Sequence, residues 1–135
     1  MNKKGFTLVE ILLVLVILGT LAAMVLPRLT GRSEQSKIVA ARVDINSNIS
    51  TALKLYELDN GFFPSTKQGL SALVKKTTAS PVPKNWNGPY MEKLPKDPWG
   101  RDYIYKYPGT HGYDYDLYSL GPNEKDDETN IANWE

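Results

Sequence analysis

The sequence predicts an α+β chain: a long N-terminal helix whose second half packs across a small antiparallel sheet. Three observations carry that prediction. Residues 11–26 read ILLVLVILGTLAAMVL, an apolar run without a charge. Residues 38–58 continue with apolar side chains at helical spacing. Residues 102–119 place alternating tyrosines on either side of a Pro-Gly-Thr-His-Gly turn, the pattern of a hairpin.

Composition narrows the function before any motif is read. A chain of 135 residues holds one domain plus an appendage. Lys and Arg number 16 and Asp and Glu 15, a net charge of +1. That balance lacks the basic excess that nucleic-acid binding requires. With no cysteine there is no disulfide scaffold, Cys-based zinc site, thiol nucleophile or iron–sulfur cluster. One histidine, His111, is too few for a His-rich metal site or a compact Ser-His-Asp constellation. No nucleophile–base pair, phosphate loop or metal motif points to an enzyme, and none is expected.

The first element spans a membrane by length. Phe6 to Leu26 is 21 residues with Glu10 as its single charge. At about 1.5 Å per residue it covers roughly 30 Å of hydrocarbon. Lys3 and Lys4 precede it, so the positive-inside rule leaves the N-terminus cytoplasmic. Three readings compete. A secretory signal peptide has a small-x-small cleavage site, which GTLAAM matches weakly. A plain signal anchor gives no reason for Glu10, since a carboxylate in the apolar run costs a few kcal/mol unless partnered. The third reading starts from KKGFTLVE, residues 3–10: a basic stub, Gly5, Phe6, and Glu10 four residues on.

That motif resembles the class III signal of type IV pilins and pseudopilins. The resemblance implies cleavage after Gly5 by an inner-membrane prepilin peptidase, N-methylation of Phe6, and a newly exposed amine there. Glu10 would then pair with the amine of a neighbouring subunit and mark its register, where otherwise it only snorkels to headgroups.

The helix should run on past the membrane. Ile38, Ala41, Ile45, Ile49, Ala52, Leu53 and Tyr56 form an apolar stripe opposite Arg42, Asn46, Ser50, Lys54 and Glu57. Gly61 is a natural stop. From Phe6 to Leu58 such a helix would be about 80 Å long. Pro27 and Gly31 interrupt it, as a kink at the membrane exit or as an unwound stretch in an assembled state. Ser65 and Gln68 have capping-box spacing and open a short second helix with Leu70, Leu73 and Val74 inward. Residues 77–98 are a proline-rich loop. Its Trp86, Tyr90, Leu94 and nearby Trp99 read as anchors on the body, or alternatively as a ligand groove.

Two strands follow. Asp102 to Tyr107 puts Tyr103, Tyr105 and Tyr107 on one face. Tyr113 to Ser119 puts Tyr113, Tyr115 and Leu117 on one face and Asp114 and Asp116 on the other. Cross-strand packing on the long helix accounts for the tyrosines. His111 sits in the connecting turn and reads as solvated.

The C-terminal end is acidic. Residues 109–135 carry seven acids and one base, Lys125, so their net charge is −6 and residues 1–108 carry +7. Opposite charges on the body could therefore pair between subunits. The spacing is not that of an EF-hand. Asn123, Asp126, Asp127 and Glu128 bunch hard oxygens after Gly121-Pro122. Two readings stand: a solvated acidic face, or a divalent-cation site that relieves the repulsion.

Longer runs then extend the resemblance. FPSTKQGLSAL (63–73), PKNWN (83–87), KLPKDPWGRDY (93–103), PGT (108–110), DLYSLG (116–121) and the closing Asn133-Trp134 are similar to the major-pseudopilin family of type II secretion systems, the general secretion pathway G subunits. The similarity covers nearly the whole chain. It implies a type IV pilin-like fold divided into a cleaved leader (1–5), a transmembrane and filament-core helix (6–26) and a periplasmic domain (27–135). It implies a single-pass inner-membrane subunit that polymerises into a periplasmic filament and helps export folded proteins. The partners implied are copies of itself, minor pseudopilins, the inner-membrane assembly platform, prepilin peptidase and, before assembly, lipid. No nucleic acid is implied.

The family also binds calcium after the SLG run. Carried over residue by residue, the ligands would be the Leu120 carbonyl, Asn123, the Lys125 carbonyl, Asp126, Asp127 and Glu128. Two departures stand out: the family usually has Asp at the position of Asn123, and its loop is longer and richer in glycine. The competing readings are a type IV or competence pilin in a surface or DNA-uptake fibre, and a membrane-anchored calcium-binding module that does not polymerise.

Overall fold

The computed structural model describes residues 4–135, apart from the side chains of residues 26–31. The kink or unwinding expected at Pro27 and Gly31 lies outside the described residues. The chain divides into two compact units, Met1–Ser36 and Lys37–Glu135. The first unit is helical from Leu8 onward and belongs to helix α1, Leu8–Val43. The second takes up the end of α1, a π-helical turn at Asp44–Asn48, and helix α2, Ile49–Asn60.

The stripe read from the sequence is the core of the second unit. Ala41, Ile45, Ile49, Leu53 and Tyr56 are fully buried, and Ile38 is half-buried at its edge. The run Ala41, Ile45, Ile49, Leu53 repeats every four residues, which drifts around a helix of 3.6 residues per turn. The π turn takes in an extra residue and counters that drift. Asp44 and Asn48 bracket the turn and bond each other at 2.7 Å, and the Tyr103 hydroxyl donates to Asp44 at 2.8 Å. Burial first, and then Asp44, push the Tyr103 pKa well above the ordinary tyrosine value, which keeps it a donor. Helix α2 ends as the glycine predicts: Gly61 adopts φ 82° and its N–H bonds the Glu57 carbonyl at 2.7 Å.

The region after it departs from the reading. The capping box forms, with Ser65 N–H donating to Gln68 Oε1 at 2.9 Å and Gln68 N–H to Ser65 Oγ at 3.2 Å. No α-helix follows, because Gly69 turns to φ 62° and only a 3-10 turn, Leu70–Leu73, is made. The Gln68 amide instead donates to the carbonyls of Ala79 and Pro81, tying down the proline-rich loop. Trp86 and Tyr90 anchor that loop through Nε1 to the Ala72 carbonyl (2.9 Å) and the hydroxyl to Asp59 (2.6 Å). Trp99 packs against the core as well. Leu94 is exposed, so it is not an anchor.

The sheet has three antiparallel strands in the order β1 (Ile104–Lys106), β2 (Asp116–Ser119) and β3 (Ile131–Ala132). Both predicted strands are shorter than read, and β3 was not expected. Tyr105 faces Leu117 in register, and Tyr118 faces Ala132. Tyr103, Tyr105, Tyr115 and Leu117 are buried, while Tyr113 is exposed and lies outside the sheet. Asn133 clasps β2 from beyond β3. Its Oδ1 accepts from the Leu117 N–H, its Nδ2 donates to the Tyr115 carbonyl, and its N–H donates to the Leu117 carbonyl, at 2.9, 2.9 and 3.0 Å.

Asp116, on the strand face opposite Leu117, is buried there as well. It is 1% exposed because the turn folds back over it. Thr110 donates its hydroxyl (2.7 Å) and its N–H (3.1 Å), and His111 Nδ1 lies 3.0 Å away. His111 is therefore not simply solvated: its ring also stacks on Trp134 at 3.8 Å and 4°. Burial pushes the Asp116 pKa up, but the Thr110 and His111 hydrogen bonds outweigh it and hold the carboxyl below its usual value. Gly109 allows the turn to close. A Cβ there would sit 2.3 Å from the Tyr113 carbonyl oxygen.

Three outcomes follow from this packing. Leu117→Ala should cost about 2–5 kcal/mol in chemical denaturation, as for a fully buried leucine. Gly109→Ala should also destabilise, by about 1–3 kcal/mol, because backbone must move to admit one methyl; an unchanged midpoint would refute the close approach. Because the folded pKa of Asp116 is depressed, its contribution is complete above the ordinary carboxylate value of about 3.9 and is lost as pH falls below it. Melting temperature followed from pH 6 to pH 2 should fall less steeply for Asp116→Asn than for the wild type.

Candidate functional site: the N-terminal segment and the acidic loop

The N-terminal segment is built around one cap. Thr7 precedes helix α1, and its Oγ1 accepts the Glu10 N–H at 3.2 Å. The Thr-Leu-Val-Glu run is itself a capping-box spacing, a signal for Thr7 that the sequence reading passed over. The cap fixes the helix start, so Glu10 falls in the first turn, where a carboxylate also suits the helix dipole. Phe6, Glu10, Ile11, Val14 and Leu15 line one shallow apolar concavity. Phe6 is 83% exposed.

Residues Leu8–Val25 are long and apolar enough to cross a membrane, and none of them is buried within the described structure. Their single hydroxyl, Thr20, donates back to the Ile17 carbonyl at 2.8 Å. Its polarity is thus satisfied inside the helix, as a lipid-facing or closely packed helix requires.

The C-terminal acidic loop is organised from two sides. On one side stands Arg101. Its Nη2 donates to the Gly121 carbonyl, its Nη1 lies 3.7 Å from Glu124 Oε1, and its Nε lies 3.8 Å from Asp97 Oδ2. Nε and Nη1 are buried and make no hydrogen bond. Asp97 is 4% exposed and held in turn by the Ser119 hydroxyl at 2.7 Å and the N–H groups of Trp99 and Arg101. The sequence reading missed both Asp97 and Arg101, although they lie within the KLPKDPWGRDY run.

On the other side stands Asn123. Its Oδ1 accepts the Lys125 N–H at 3.1 Å, which fixes the amide orientation. Its Nδ2 therefore faces the Asp127 carboxylate at 3.2 and 3.5 Å and the Thr129 hydroxyl at 2.6 Å. Thr129 donates its hydroxyl and its N–H to Asp127 at 2.5 and 2.8 Å. The Thr129 hydroxyl and then its N–H hold the Asp127 carboxyl below the usual range. Asp126 accepts from Asn130 Nδ2 at 2.8 Å and from the Tyr118 hydroxyl at 3.3 Å.

The expected calcium ligands can be compared with this arrangement. Leu120 is half-buried just after β2, and Asn123, Lys125, Asp126, Asp127 and Glu128 are exposed along the loop. Asp126, Asp127 and Glu128 share the edge of an open cleft with Asp116. Among the described residues, no three His, Cys, Asp or Glu side chains gather as a metal-holding group. Calcium takes six to eight oxygens at about 2.3–2.6 Å. Here Asp126 and Asp127 turn toward N–H and O–H donors on different elements, and Asn123 presents an amide NH2 to Asp127. Loading calcium would require the Asn123 amide to turn over and the Thr129 and Asn130 donors to withdraw. The donor set as arranged does not fit the ion.

Comparison with known proteins supplies the family. Residues 28–134 match the model of type II secretion system (T2SS) protein G, and residues 1–26 match the prokaryotic N-terminal methylation motif. The type II secretion system core protein G of Pseudomonas aeruginosa is 52% identical, covering 99% of this chain and 96% of that protein. That of Escherichia coli K12 is 46% identical, covering 98% and 92%. The crystal structure of the major pseudopilin from the type 2 secretion system of enterohaemorrhagic Escherichia coli is similar at a TM-score of 0.71 and 38% identity, covering 78% of this chain and 89% of that one. On these matches and on the helix-and-sheet body described above, the chain belongs to the type II secretion system protein G family and has its type IV pilin-like fold.

Proposed function

We propose that the chain is the repeating structural subunit of a type II secretion pseudopilus, processed after Gly5 and polymerised in the periplasm to help move folded proteins outward. The observation that carries the reading is the capped helix start. Thr7 sets Glu10 in the first turn of an otherwise uncharged, exposed apolar stretch, Leu8–Val25, beside Phe6. An exposed apolar surface of that length needs lipid before assembly and other copies of itself afterwards. Lys4 on the leader side agrees with insertion that leaves the leader in the cytoplasm and the body in the periplasm.

Cleavage after Gly5 would leave a cationic amine at Phe6. In a filament core, Glu10 of one subunit would meet the amine of its neighbour. At about 4 Å the pair is worth on the order of 4 kcal/mol at an effective dielectric of about 20. Against this stands the desolvation of both groups. An unpaired Glu10 stays costly in hydrocarbon, so correct register is favoured over any slipped one. Minor pseudopilins, the inner-membrane assembly platform and prepilin peptidase are the partners of this reading. It assigns no catalytic group.

Glu10→Val should leave the subunit in the membrane, abolish filaments and reduce exoprotein secretion to the level of a deletion strain. A Glu10→Val subunit that assembles and secretes normally would remove Glu10 from the mechanism. Mass spectrometry of the mature subunit should find N-methylated Phe6 at its start. A mature chain retaining Lys3 and Lys4 would favour a non-polymerising anchored module. Surface fibres with secretion unaffected by deletion would favour a type IV or competence pilin.

A further inference from the structure

We propose that the acidic loop of this chain carries its own internal brace: Arg101, with the Asn123 amide, orders residues 121–130 without bound calcium. The loop region 121–130 contains four acids, Glu124, Asp126, Asp127 and Glu128, against one lysine. A stretch so charged needs a counter-charge to hold one conformation. Arg101 supplies it from β1's approach. Its side chain is three-quarters buried, and its guanidinium bonds the Gly121 carbonyl at the loop's entrance and lies near both the buried Asp97 and the exposed Glu124. Its remaining buried N–H groups lack hydrogen bonds, so its attraction to Asp97 and Glu124 is that of charge at 3.7–3.8 Å.

Farther along the loop, donors replace charge. The Asn123 NH2 lies between Asp127 and Thr129, with its orientation fixed by the Lys125 N–H. An aspartate at 123 would turn a carboxylate toward Asp127 and create a repulsion that only a cation relieves. An asparagine there turns a donor. Asp126 is satisfied by Asn130 and Tyr118. The contacts of Asn123 and Asp126 thus belong to one arrangement, and Arg101 completes it. Arg rather than Lys suits the position, because one planar fork reaches a carbonyl and two carboxylates at once.

The test uses the full chain in detergent. Its melting temperature in calcium should match that in EGTA within about 1 °C, and titration with calcium alone should release no binding heat. Calcium bound to the loop at about 100 times its dissociation constant would raise the melting temperature by roughly 10 to 20 °C. A rise of that size, absent with magnesium, would overturn the proposal. Arg101→Gln should lower the melting temperature and speed proteolytic cleavage within 121–130, with both effects partly reversed by added salt. An Arg101→Gln chain that melts and is cleaved like the wild type would remove Arg101 from the role. Should Arg101→Gln fail to fold, Asn123→Asp decides: it should be less stable in EGTA and gain a calcium-dependent rise that the wild type lacks. Indifference of Asn123→Asp to calcium and EGTA alike would overturn the part assigned to Asn123.

Discussion

Everything in the 37–135 unit depends on one strip of helix surface. Ala41, Ile45, Ile49, Leu53 and Tyr56 are removed from water by Phe63, Leu73, Tyr103, Tyr105, Tyr115 and Leu117. A sheet of strands two to four residues long cannot stand alone. It is stable here because each strand lays side chains on the strip and because loops cover its other face. The tyrosines serve both needs. Their rings fill the space between helix and strands, and their hydroxyls reach outward to Pro64 and Asp44. The same arrangement explains why β2 is buried throughout: the helix side takes Leu117, and the 108–115 turn with Trp134 closes over Asp116 and Tyr118.

Much of this was legible in the sequence because it rests on periodicity and on strong stop signals. The helical stripe, the Gly61 cap and the tyrosine hairpin all follow from spacing alone. The short second helix was lost to Gly69, whose backbone conformation overrode a correctly read capping box. Strand β3 was not legible because two residues carry no period. Its identity comes from pairing with β2 and from the Asn133 side chain, neither of which is local. The burial of Asp116 was not legible for a related reason: alternation says which face a residue is on, but not that a turn will cover that face.

The two functional regions differ in how far the sequence could take them. The N-terminal segment is written in consecutive residues, so Gly5, Phe6 and Glu10 could be named directly, and Thr7 was visible in the same run. The acidic loop is governed by residues distant in sequence. Arg101 and Asp97 approach it from twenty or more positions away, and a list of the loop's own acids gives no sign of them. Charge counting finds the surplus but not the group that answers it.

The Asn133 clasp has a consequence for the order of events during synthesis. The helix strip is made early, whereas Asn133, which locks β2 over it, comes far later in the sequence. Tyr103 and Asp44 are 59 positions apart, and Leu117 waits for Asn133. Contacts of such separation form slowly. The emerging body therefore passes through a stage in which the helix is already formed and its apolar strip is bare. Neighbouring nascent chains present the same strip, and premature pairing through it competes with folding. Synthesis of Asn133 ends that exposure, and loss of the short segment from Ile131 onward is more damaging than its size suggests.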